Sequence, residues 1–162
     1  MYRYPAELAS DELTTSGLTP AEVEKFTCVD CHTRMAFVAE VDDTFIAVGR
    51  YNLSPGTTEA EVAFVVADDY QHHGIATLLL ERLADVAWAN GIETFIALTP
   101  VENRSRMDLF RDSGFLVTTE YDGATLDVRF PIEANQAYLA ARATRHSRTP
   151  PDIQSNPDLP RG

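Results

Sequence analysis

The segment Val65 to Thr77 has the residue types and spacing best suited to chemistry in this chain. It joins an apolar, β-rich run to a stretch of helical periodicity, and Gly74 stands where the loop enters that helix. Successive backbone N–H groups and the positive end of the helix dipole converge at such a point, which makes an anion site of a size suited to a pyrophosphate. Gly74 lets a ligand come close to the backbone, and Ala76 is small enough to keep that approach open. An ordinary strand-to-helix turn can contain the same single glycine, so the loop alone leaves both readings open. A second group, Cys28-Val29-Asp30-Cys31 followed by His32, has the spacing of half a zinc or redox site. The chain contains only 2 cysteines, so the pair reads as ordinary thiols at a helix-to-strand junction and no metal is expected.

The elements that must position the loop follow from periodicity and turn chemistry. Thr19-Pro20-Ala21-Glu22 is a helix start, with Thr19 as cap, Pro20 at the first helical position and Glu22 closing a capping box, and a short helix is expected to about Phe26. Met35 to Val41 and Phe45 to Leu53 are β-rich runs around the turn Val41-Asp42-Asp43-Thr44 and predict a hairpin. After Ser54-Pro55-Gly56, Glu59 to Val66 predicts a third antiparallel strand. From Gly74 to Asn90 the positions Ile75, Leu78, Leu79, Leu83, Val86 and Ala87 recur at helical spacing, and Asn90-Gly91 supplies a stop. Thr94 to Thr99 then predicts a strand parallel to its predecessor, reached by a right-handed crossover. A helix from Arg104 to Asp112, strands over Phe115 to Glu120 and Thr125 to Pro131, and an amphipathic helix from Ile132 to about Arg145 complete the domain. The proline-rich end after Thr149 predicts a disordered tail. This order gives an α+β, three-layer α/β/α domain around a mixed, mostly antiparallel sheet.

Placed after a strand and opening a helix, Gln71-x-x-Gly74-x-Ala76 resembles the Gln/Arg-x-x-Gly-x-Gly/Ala acyl-coenzyme A motif of the GNAT superfamily of N-acetyltransferases. Asn103 followed by Leu109-Phe110-x-x-x-Gly114-Phe115 resembles the family's second element, Asn…Leu-Tyr-x-x-x-Gly-Phe. The match covers about Arg34 to Pro131. Within it, Ala60-Glu61-Val62-Ala63-Phe64-Val65-Val66, Pro100-Val101-Glu102-Asn103-Arg104 and Phe110-Arg111-Asp112-Ser113-Gly114-Phe115 are similar to bacterial protein-lysine acetyltransferases of the Pat type, including those fused to acyl-CoA synthetases. The resemblance implies an N-terminal segment over 1–17, a GNAT domain over 18–147 and a tail over 148–162. Met1 to Ser16 is short for the strand and longer helix with which the family opens. Either the first strand is missing, or the partner subunit of a homodimer supplies that part of the substrate wall.

The resemblance further implies acetyl-CoA as co-substrate. The amides of Gln71, His72, His73, Gly74, Ile75 and Ala76 would hold its pyrophosphate, and the splayed edge near Phe64, Val65 and Val66 would pair with pantetheine. Asn103 and Phe110 would contact the coenzyme. The acceptor must be a free amine, yet a lysine of pKa about 10.4 is neutral in only about one part in two thousand at pH 7, a cost of roughly 4–5 kcal/mol. A base is therefore useful; the resemblance implies Glu61, with Glu59 as the fallback. Phe110 stands where many relatives place a tyrosine that protonates the departing thiolate. The loss is tolerable for a thiol of pKa about 8.5, so packing against pantetheine or core is the expected use of Phe110. His72 and His73 replace a glycine and a basic residue of the family loop; either their imidazoles bond phosphate or only their backbone is used.

With 25 acidic and 13 basic residues the formal charge of −12 disfavours a nucleic-acid partner, because that affinity rests on Lys and Arg contacts to phosphate. The same field favours a cationic amine or serves solubility. No apolar run is long enough to span a bilayer, and the N-terminus has no apolar segment after Arg3, so no membrane association and a cytoplasmic location are expected. The sequence thus predicts an N-acetyltransferase acting on an amine, first a protein lysine, with a polyamine or aminoglycoside also suited. A catalytically degenerate acyl-CoA-sensing or interaction domain is the alternative.

Overall fold

The computed structural model describes residues 30–102 and 104–148. The expected helix from Thr19, the thiol of Cys28, Asn103 and the proline-rich end lie outside the described residues. In chain order the elements are β1 (Arg34–Val41), β2 (Thr44–Leu53), β3 (Glu59–Val66), α1 (Ile75–Ala89), β4 (Thr94–Pro100), α2 (Arg104–Ser113), β5 (Thr118–Asp122), β6 (Thr125–Pro131) and α3 (Gln136–Arg148). The six strands form one sheet in the order β1-β2-β3-β4-β6-β5. Among the described strands only β3 and β4 are parallel, and α1 is the crossover between them. The mixed, mostly antiparallel sheet with flanking helices is the α+β arrangement expected from the sequence.

Local chemistry explains the connections. Asp42 and Asp43 both take left-handed backbone angles, φ 48° and 61°, as a two-residue hairpin turn with the twist of its strands requires. At the end of α1 the Ile92 N–H donates to Ala87 C=O at 2.9 Å and the Gly91 N–H to Trp88 C=O at 3.0 Å, the bond pattern of a Schellman stop. Asn135 starts α3, its side chain accepting from the Tyr138 N–H at 2.9 Å.

Two elements differ most from expectation. Phe115 does not open β5, which begins at Thr118; its ring is buried and stacks on Tyr138 and Phe130, with centroids 4.2 and 5.4 Å apart. Helix α3 begins at Gln136 rather than Ile132, because Asn135 caps it, and it runs through Arg148, one residue past the expected domain limit.

Alternation along the strands puts Tyr51, Ala60, Val62, Phe95, Ala97, Leu126, Val128 and Phe130 on one face. There they form a single apolar cluster with Leu80, Leu83, Ala84 and Ala87 of α1, Met107 and Phe110 of α2, and Tyr138 of α3. The opposite face carries Arg50, Glu59, Glu61, Ile96, Leu98, Asp127 and Arg129. Helix α1 is tied down at two further points. Glu81, 1% exposed, receives two bonds from Arg145 of α3 at 2.8 and 2.5 Å, and His146 lies 3.0 Å from its other oxygen. Asn90 at the helix end donates to Cys31 C=O and to the Tyr51 hydroxyl, each at 3.0 Å, which docks the loop before β1.

Candidate active site

The site begins where two strands part. β3 and β4 pair only through Glu59↔Thr94, Ala60↔Phe95 and Glu61↔Ile96. Beyond this point β3 stays bonded to β2 as far as Val66, and β4 to β6 as far as Pro100. The Ser54 N–H donates to Glu59 C=O at 2.8 Å and the Ala67 N–H to Ile46 C=O at 2.8 Å, so residues 59, 61, 63, 65 and 67 turn their backbone groups toward β2. By the same alternation Phe64 and Val66 turn theirs toward β4, into the opening. Of the expected trio, Phe64 and Val66 present backbone to the opening, and Val65 is bonded to β2.

The loop after β3 is held in shape by its own side chains. Asp68–Tyr70 makes one 3-10 turn, and the Gln71 amide donates to Asp68 Oδ1 at 2.8 Å and to Val66 C=O at 3.3 Å. His73 Nδ1 lies 2.7 Å from Gln71 C=O. His72 and Gly74 are both left-handed, φ 63° and 79°, a sequence of turns that gathers backbone N–H groups on one side. Gly74 is the residue before α1, and no side chain caps that helix. The first N–H groups of α1, which have no intrahelical acceptor, thus end at an exposed glycine loop. The structure brings Gln71, His72, His73, Gly74, Ile75 and Ala76 together at this end, next to the mouth of the opening. His73 Nδ1 and the Gln71 side-chain NH2 are engaged within the loop itself.

Glu61 is the last residue of β3 paired to β4, and so sits at the apex where the strands part. Its half-buried carboxyl points to the face opposite the helices. Burial pushes its pKa above the ordinary glutamate value, and the positive charge of Arg50 on the neighbouring strand partly offsets this. Glu59, on the same face, forms an ion pair with Arg129 across β4. The fallback carboxylate is therefore engaged, while Glu61 is buried enough to hold a proton at higher pH than an exposed glutamate. Neither Arg50 nor Arg129 was singled out from sequence, since only the cross-strand register brings them to these carboxylates.

Of the second motif, Phe110, Gly114 and Phe115 serve the fold. Phe110 is 2% exposed, its ring centroid 5.3 Å from that of Phe130, so its side chain lies in the core with no surface to offer a ligand. A Cβ on Gly114 would fall 2.8 Å from the Ala137 carbonyl oxygen, so this glycine admits the first turn of α3. Cys31 is an exposed thiol, and among the described residues no three His, Cys, Asp or Glu side chains cluster as metal ligands. No described helix is long and apolar enough to cross a membrane.

Comparison with known proteins agrees with the fold. The family model for the Acetyltransferase (GNAT) family matches residues 5–115. An acetyltransferase of Pseudomonas aeruginosa is 31% identical over 111 residues, which cover 66% of this chain and 60% of that protein. This chain therefore matches somewhat under two thirds of that relative's length. Among solved structures, the GNAT domain of S. lividans PAT superposes with a TM-score of 0.61 at 31% identity, covering 70% of this chain and 69% of the other. The PaiA N-acetyltransferase of Thermoplasma acidophilum, solved in complex with coenzyme A, shares the fold at a TM-score of 0.54 and 19% identity, covering 60% of each chain.

Proposed function

Because this chain belongs to the acetyltransferase (GNAT) family, we propose that it transfers an acetyl or short acyl group from coenzyme A to an amine, with a protein lysine as the first acceptor to test. The observation that carries this reading is the parting of β3 and β4 after Glu61 and Ile96, beside an uncapped helix start. An open strand edge is otherwise a liability, because its N–H and C=O groups stay unpaired. A pantetheine arm is a chain of amides and fits such an edge as an added strand. Phe64 and the Val66 N–H supply the backbone groups, and the N–H groups from Gln71 to Ala76 supply the anion cradle.

The chemistry follows from where the residues sit. The acceptor ammonium must lose a proton before its nitrogen can attack the thioester carbonyl. Glu61, at the apex of the opening, takes that proton, directly or through one water. Its raised pKa suits the task, since a base works best with a pKa near the working pH. Attack forms the C–N bond and a tetrahedral intermediate; this collapses as the C–S bond breaks and the nitrogen gives its second proton to solvent, leaving the amide and coenzyme A as a thiolate. The Phe64 N–H is the donor nearest the apex that is aimed into the opening, and we assign it to the carbonyl oxygen as negative charge develops there. Phe110 has no ionisable proton to give, so thiolate protonation is left to solvent.

The test is calorimetric titration with acetyl-CoA and with free coenzyme A, followed by thiol release in the presence of a lysine-rich protein or a polyamine. Binding with thiol release is the expected outcome. Binding without release across a panel of amines would instead support an acyl-CoA sensor, and no binding would sink the reading.

A further inference from the structure

Helices α1 and α3 run antiparallel where they meet. Arg145 holds Glu81, and one turn further along α1 the Arg142 guanidinium donates to both Asp85 oxygens at 2.8 Å. Beyond that ion pair a groove of about 150 Å³ opens between the helices. Trp88 of α1 and Leu139 of α3 form its walls, over a floor of Ile132 and Tyr138. The floor belongs to the core and the walls do not, for Trp88 is 50% and Leu139 51% exposed. Apolar area left in water is unfavourable, and two large apolar side chains that share one groove mark a place where a further apolar segment fits.

The chain itself carries such a segment. Residues 149–162, outside the described residues, follow directly from the end of α3, and four of these 14 are proline. They include Pro157-Asp158-Leu159-Pro160, the Pro-x-x-Pro spacing with which a polyproline II strand docks against an aromatic-walled groove. Pro150 and Pro151, just past the helix, disfavour its continuation and favour a turn. The reach is sufficient. Arg148 lies nine residues past Leu139, about 14 Å along the helix axis. A returning extended chain covers that distance in about five residues at roughly 3.1 Å each. After a turn of about four residues, Pro157 therefore comes level with Trp88 and Leu139. We propose that Pro157 to Pro160 dock in this groove of their own chain, with Leu159 and the proline rings against Trp88 and Leu139. A tethered segment meets its site at an effective concentration on the order of 1 mM, so a contact too weak to hold a free peptide at low concentration is populated within one chain. The groove lies on the helix side of the sheet, away from Glu61, and the proposal does not depend on the acyl-transfer reading.

Trp88 is the single tryptophan of the chain, so tryptophan fluorescence reports on this groove. The experiment compares emission and acrylamide quenching of the full chain with two full-length variants, Leu159→Asp and the double substitution Pro157→Gly with Pro160→Gly. Neither variant alters a residue of α1, α3 or the core. Both should move Trp88 emission to longer wavelength and raise its quenching constant about twofold, because the ring returns to 50% exposure. A synthetic peptide of residues 149–162 should reverse the shift in Leu159→Asp at roughly millimolar concentration and leave the wild type unchanged. Identical emission and quenching in the wild type and both variants would overturn the proposal. So would a shift that the peptide does not reverse, since the segment would then act on Trp88 from elsewhere. A difference that grows with protein concentration would place the segment on a second copy and overturn docking within one chain.

Discussion

Gly74 and Gly91 stand at the two ends of α1 with the same backbone angle, φ 79°, and a Cβ at either would meet nothing within 4 Å. Alanine at each should therefore impose the same strain and no clash. The left-handed conformation costs a residue with a Cβ roughly 1–2 kcal/mol. For a chain of 162 residues this is a drop in melting temperature of about 2–8 °C, shared by the two variants. Their binding should differ. Gly74 borders the free N–H groups of α1, and its added methyl would stand in the open space through which a phosphate must reach them. Loss of one hydrogen bond to a charged group costs about 1.5–3 kcal/mol, so Gly74→Ala should weaken coenzyme A binding about 10- to 100-fold. Gly91→Ala should bind as wild type, since it lies at the far end of the helix. Calorimetric titration and thermal melting of both variants settle the comparison. Equal affinities for the two would mean that the phosphates are not held at the start of α1. A wild-type melting temperature for Gly74→Ala would mean that the left-handed turn is not enforced.

Glu61→Gln should lower kcat about 10²- to 10⁴-fold and remove the acidic limb of the pH-rate profile; an unchanged profile would show that the base lies elsewhere. Because burial raises the Glu61 pKa, the folded protein holds this proton over a pH range where the unfolded chain has released it, so the wild type loses stability as pH rises from the ordinary carboxyl value through the raised one. The glutamine variant should therefore melt higher at neutral pH, with the gap closing below the ordinary carboxyl range; a gap that persists in acid would contradict the burial argument. Arg145→Ala strips two hydrogen bonds from the buried Glu81 carboxylate and should cost about 3–5 kcal/mol in denaturant unfolding, much of it recovered in Arg145→Ala combined with Glu81→Leu. Phe110→Tyr buries a new hydroxyl among aromatic rings and should cost about 1–3 kcal/mol with no gain in transfer rate; faster transfer at undiminished stability would show that position 110 reaches the leaving thiol.

The elements around the Gln71 to Ala76 loop were legible because their signals are local. The helical spacing from Ile75 to Ala87, the Asn90-Gly91 stop and the Asp42-Asp43 turn each act within a few residues, and the structure reproduces them. The β-α-β crossover follows from chain order and handedness. Contacts that depend on register were not legible. The Arg129 partner of Glu59, Arg50 beside Glu61 and the Arg145 clamp on Glu81 join elements far apart in sequence, and no spacing rule finds them. Phe110 was read as a coenzyme or core contact; only the packing of α2 on Phe130 shows that its whole ring is buried. Phe115 was misread as strand because an aromatic at the end of a helix stop has the same propensity as one that opens a strand.

Helix α1 connects the separate parts of the site. Its first turn is the proposed anion cradle, its middle carries Glu81 against α3, and its end carries Asn90 against the loop before β1. In the proposed reaction the cradle and Glu61 come from different segments, and the acyl group would reach the apex only if the distance between them is constant. Anchors at Glu81 and Asn90 hold that distance without touching any ligand, which is preorganisation supplied by supporting contacts. A buried carboxylate is a poor way to add stability, because an apolar pair of similar volume often does as well. It is a good way to hold one geometry, since Arg145 also donates to the carbonyls of Asp112 and Ser113 and so ties α1, α2 and α3 together through one guanidinium. Breaking the clamp should therefore affect transfer more than coenzyme affinity. The cradle moves with α1 and stays intact, while its alignment with Glu61 relaxes, so kcat should fall well below the melting transition with the coenzyme Kd almost unchanged.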